Sequence, residues 1–114
     1  TPHPQHAEWT IKAAEAGNTT AQFNLGVCYQ DGVGVVAKDY VEAYAWYSLA
    51  AGSSESGAES AAESAARFRN SLARMMSPGQ ILDAYKRTKE LRAQIGGQAQ
   101  EQWRITPFVN RLKP

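Results

Sequence analysis

The chain has 114 residues, the size of one domain, with 43% hydrophobic and 20% charged residues and a mean hydropathy of −0.48, the profile of a chain that buries a core. It has no run of about 18 apolar residues, which excludes a membrane-spanning helix, and its net charge of +1 argues against a dedicated nucleic-acid binder. Cys28 is the single cysteine, so neither an intramolecular disulfide nor a cysteine-based zinc site can form.

The first residues contain no basic, then apolar, leader pattern. The chain also starts without Met, so removal of a signal peptide stays open and the compartment is undetermined. Residues 1–63 carry two lysines against eight acids, a net −6, and residues 64–114 carry ten bases against three acids, a net +7. Two explanations stand: the halves neutralise each other on facing helices, or the basic half meets an acidic partner or a second copy head to tail.

In chain order, residues 1–17 read as the second helix of an incomplete repeat, cut short by Pro2 and Pro4 and stopped by Gly17. Asn18 is a good N-cap, after which Ala21, Leu25 and Tyr29 recur at helical spacing to about Gln30, where Asp31, Gly32 and Gly34 make a turn. Asp39 and Glu42 have the spacing of a capping box, and Ala43, Trp46, Tyr47 and Ala50 then follow on one face. Trp9 and Trp46 stand 37 residues apart in similar Ala-rich surroundings, a period that stacked helical hairpins produce.

After the Ser- and Gly-containing link 53–57, the residues Ala61, Ala65, Phe68, Leu72 and Met75 step by three and four, which predicts a helix over 58–76. Ser77, Pro78 and Gln80 supply an N-cap, a first-turn proline and an N3 partner for a further helix over 78–95. Its apolar face is Ile81, Ala84, Tyr85, Thr88, Leu91 and Ile95, and Gly96 and Gly97 are expected to stop it. Residues 98–114 read as a short helical piece near Gln100 and an extended tail. Trp103, Ile105, Phe108, Val109 and Leu112 make that tail apolar enough to dock.

The pattern Ala7, Trp9, Lys12, Ala13 to Gly17, Ala21, Leu25, Gly26, Tyr29, Gly32 and Gly34, continued by Asp39, Tyr40, Ala43, Trp46 and Tyr47, resembles Sel1-like repeats, relatives of the tetratricopeptide repeat. The stretch from Trp46 to Ile81, with Met76, Ser77, Pro78 and Gln80 opening the last helix, resembles the C-terminal ending of such proteins. The resemblance implies an all-α fold: a short α-α superhelix with two longer C-terminal capping helices. Residues 1–97 would form the repeat domain, with a partial repeat 1–17 and a full repeat 18–52, and 98–114 a docked tail. It further implies a scaffold that holds a protein or peptide partner on a concave face lined by the first helix of each hairpin. Some secreted members carry a disulfide in each repeat; lone Cys28 departs from that pattern, and the ligand binding credited to them is not carried over.

Chemistry is thinly represented. Asp31 to Gly34 lacks the Lys and Ser/Thr of a phosphate loop, and His3 and His6 sit in a proline-punctuated terminus without further ligands. Cys28 has no base within its helix, and Glu59, Glu63 and Arg67 are spaced as a surface ion-pair ladder. No catalytic residue, metal or cofactor is therefore expected.

Binding candidates remain. On the helix 19–30, Thr20, Phe23, Val27 and Gln30 share the face turned away from Leu25 and Tyr29 and would receive a partner, unless the later helices or the tail fold over them. The alternative is a homodimer without a separate groove, self-associating through Trp9, Ile11, Trp103 and Phe108.

Overall fold

The computed structural model describes the backbone of residues 4–34 and 37–105 and the side chains of residues 8–34 and 37–95. The described residues form helices α1 (Pro4–Glu15), α2 (Thr19–Asp31), α3 (Tyr40–Ala51), α4 (Glu59–Ala73) and α5 (Pro78–Ile105), with no strand among them. The expected all-α superhelix is what the chain adopts: α1 packs on α2, α2 on α3, and α3 on both α4 and α5.

Local chemistry sets the helix ends. Gly17, at φ 101°, closes α1, and the Asn18 side chain accepts the Ala21 N–H at 2.8 Å to open α2. Gly32, at φ 69°, closes α2 in the left-handed conformation, donating its N–H to the Cys28 carbonyl at 2.7 Å. Ser77 and Gln80 form a reciprocal capping box, Ser77 N–H to Gln80 Oε1 at 2.9 Å and Gln80 N–H to Ser77 Oγ at 3.1 Å.

At α3 the capping box is only half made. Asp39 accepts the Glu42 N–H at 3.1 Å, but the Asp39 N–H goes to the Tyr29 carbonyl at 2.8 Å. Glu42 is thereby released for tertiary use. Its carboxylate accepts from Trp46 Nε1 at 3.3 Å and pairs with Arg87 of α5.

α3 is the central element. Ala43, Tyr44, Ala45, Trp46, Tyr47, Leu49 and Ala50 are all buried, so its apolar residues surround the helix instead of forming the expected single face. One side joins Tyr44, Tyr47 and Ala50 to Ala65, Leu72 and Met76; the other joins Ala45, Trp46 and Leu49 to Ala14, Leu25 and Leu91. Complete burial of side chains such as Leu25 and Leu72 contributes roughly 1.5–3 kcal/mol each.

Two expectations about the later helices need correction. In α4 the buried stripe is Ala65 and Leu72, continued by Met76 beyond the helix end. Phe68 and Met75 are 44% and 55% exposed, because α4 packs mainly on α3, with α2 as a lesser neighbour, and is covered along one side. α5 does not stop at Gly96 and Gly97 but runs on to Ile105. A glycine ends a helix when the chain turns left-handed there; inside a continuing ladder it costs only about 1 kcal/mol, which the following helix-forming run Gln98 to Gln102 tolerates.

Candidate functional site

The four residues expected to receive a partner lie along α2. Thr20 is exposed, Phe23, Val27 and Gln30 are half-buried, and Phe23 and Val27 touch the core cluster around Tyr47. Tyr47 is fully buried, and its hydroxyl donates to Gln30 Oε1 at 2.7 Å. Burial, helped by the charge of Asp31, pushes the Tyr47 phenol far above its ordinary value, so it remains a neutral donor.

Phe68 of α4 completes this face. Its ring stands edge-on to Phe23 with centroids 5.0 Å apart, and Tyr47 lies 5.8 Å from Phe68 and 5.9 Å from Phe23. Phe68 was not among the binding candidates, because the α4 periodicity places it in the buried stripe. Its partial exposure follows from where α4 lies across α2 and α3.

The self-association candidates separate. Trp9 is 68% exposed, whereas Ile11 is partly buried against the cluster around Trp46. The Trp103 side chain and Phe108 lie outside the described residues, as do His3 and the side chain of His6.

Cys28 is half-buried, and burial, with Asp31 nearby, raises its thiol above the ordinary range, which keeps it protonated and a poor nucleophile. Among the described residues no group of three His, Cys, Asp or Glu side chains could hold a metal, and no helix is long and apolar enough to cross a membrane.

A latch that local spacing does not announce ties the link after α3 to the start of α2. The Glu55 carboxylate accepts from the backbone N–H of Thr19 at 3.0 Å and from its hydroxyl at 2.7 Å, and Thr19 Oγ1 lies 2.5 Å from Ser53 Oγ. These bonds hold the Glu55 carboxyl below its ordinary range and close the base of the hairpin.

The packing of α1, α2 and α3, with a glycine where helices cross and left-handed glycines at two turns, defines a helical-hairpin repeat protein. The family model for the Sel1 repeat matches residues 7–18 and 19–53, so this part of the chain carries Sel1-like repeats. The boundary between the two matches falls beside the Asn18 cap. No curated protein and no solved structure matches the chain. Sel1 repeats are in general protein–protein interaction modules and not catalysts.

Proposed function

We propose that the chain is a non-enzymatic adaptor that binds a peptide or a partner protein on the face shared by α2 and α4. Residues 1–97 act as the repeat domain, with α4 and the first part of α5 as its cap. One observation carries the reading: Phe68 is exposed while its ring is held edge-on by Phe23, so an apolar side chain of a partner would meet a pre-ordered aromatic surface. Thr20 on the same helix face and the amide nitrogen of Gln30 supply polar contacts at its margin.

A peptide library displayed against the full chain tests this. Enriched peptides carry an apolar anchor, and both Phe68→Ala and Thr20→Arg weaken their binding about tenfold or more. A library that yields no binder, or binders indifferent to both substitutions, sinks the reading.

The exposure of Trp9 favours a second reading, self-association through α1, with Ile11 behind Trp9 and with Trp103 and Phe108 contributing from the C-terminal part. Light scattering coupled to size exclusion separates the two. A dimer that Trp9→Ser dissociates supports self-association, and a monomer at every concentration removes it.

A further inference from the structure

α4 and α5 both lean on α3 but pack far less on each other, leaving between them a groove of about 490 Å³ with α3 as its floor. Tyr44 and Ser48 form the floor, Arg69 stands on the α4 wall, and Tyr85, Lys89 and Arg92 rise from α5. No acidic side chain lines it.

Among the described residues, the neutralisation of one half of the chain by the other is met at one place, the pair of Arg87 with Glu42. Among the described residues the ion pairs are those of Arg87, with Glu42 of α3 and with Glu90 at 3.1 Å, and neither involves Arg69, Lys89 or Arg92. The Arg69 Nε–H is directed at Asn70 Oδ1 at 3.3 Å, a bond that does not use the outer guanidinium donors of this groove-lining residue. Three cations thus gather around one cleft without a carboxylate among them.

The remaining lining suits carboxylates too. Tyr44 and Tyr85 are paired at 6.0 Å between ring centroids, and Tyr85 is 54% exposed beside Lys89, one turn further along α5. Tyr85, Lys89 and Arg92 are spaced i, i+4 and i+7 on one helix face, covering about 10 Å of axis, the reach of roughly three extended residues.

We infer that this α3–α4–α5 groove binds a short acidic peptide segment of a partner protein, its carboxylates on Arg69, Lys89 and Arg92 and its backbone against Tyr85. The inference rests on the protein-binding reading but places a second, electrostatic contact away from Phe23 and Phe68. The cleft holds a few side chains, which favours a peptide over a nucleic-acid strand bound along a long basic track.

The test uses the full chain and a fluorescein-labelled hexaglutamate peptide, read by anisotropy at low salt. The wild type binds, and binding weakens as salt rises. The double reversal Lys89→Glu with Arg92→Glu weakens binding about tenfold or more, whereas Arg74→Glu with Lys86→Glu, equal in charge and outside the groove, changes it less than about twofold. Phe68→Ala leaves hexaglutamate binding unchanged, so the two readings fail separately. Absence of hexaglutamate binding overturns the inference, as does equal loss in both double variants. Displacement of the peptide by inorganic phosphate or a short single-stranded oligonucleotide at lower concentration than by unlabelled hexaglutamate also overturns it. Helical content and melting of each variant, followed by circular dichroism, establish that it is folded.

Discussion

A methyl group placed on Gly26 would lie 2.5 Å from Cδ1 and Cε1 of Tyr47, well inside the van der Waals contact distance to a fully buried ring. The bare backbone of α2 at Gly26 is what allows α3 to seat that ring, and the ring in turn supports Phe23 and Phe68. Stability and the candidate binding face therefore share one contact.

Gly26→Ala sets two effects against each other. Alanine favours the helix by up to about 1 kcal/mol, but overpacking a closed core costs about 1–3 kcal/mol, and Tyr47, at 0% exposure, has nowhere to move. Chemical denaturation should show net destabilisation. In a Tyr47→Leu background the same substitution should become neutral or stabilising, because the obstructing ring is gone.

Glu55 makes the hairpin sensitive to acid. Its carboxyl is held below the ordinary value of 4.5 by the Thr19 hydroxyl and N–H, so its contribution is complete above that value and is lost as pH falls through the lower folded-state value. Thermal melting between pH 7 and pH 3, followed by circular dichroism, should show a decline that Glu55→Gln makes shallower; equal slopes for both chains would contradict the latch.

Tyr47 gives the opposite limb. Its folded-state ionisation lies above the ordinary tyrosine value of 10.0, so its contribution is intact below that value and is lost as pH rises beyond it, where the unfolded chain ionises first. Tyr47→Phe should lower stability at neutral pH by about 1 kcal/mol, the order of one hydrogen bond, and should flatten the alkaline fall in melting temperature.

Arg87 fastens α5 to α3 through Glu42, which also accepts from Trp46. Both side chains of the pair are partly solvated, at 32% and 17% exposure, so solvent screening limits Arg87→Ala to a loss of about 1 kcal/mol. Hydrogen exchange should rise along α5 more than along α1. Uniform change along the chain would show that the pair is not what docks α5.

What could be read directly from the residues was whatever depends on neighbours a few positions away. The caps at Asn18, Asp39 and Ser77 each use a partner three residues on, and Gly17 and Gly32 take up backbone angles that other residues resist, so four of the five helices begin or end where local chemistry says. The glycine pair at 96 and 97 misled, because glycine permits a stop without enforcing one.

The amino-acid sequence by itself determined the helical elements, their hairpin order and the repeat they belong to, since periodicity and capping act within a turn or two. Only the tertiary structure decided which apolar residues are covered. Tyr47 is enclosed because helices lie on both sides of α3, and Phe68 is left half-open because, among the described residues, no element packs on the outer side of α4. Glu55 finds Thr19 across 36 positions, and Arg69, Lys89 and Arg92 gather because α4 and α5 diverge over α3. Contacts of that range depend on how whole helices pack, a sum over many weak interactions that no short window of residues contains.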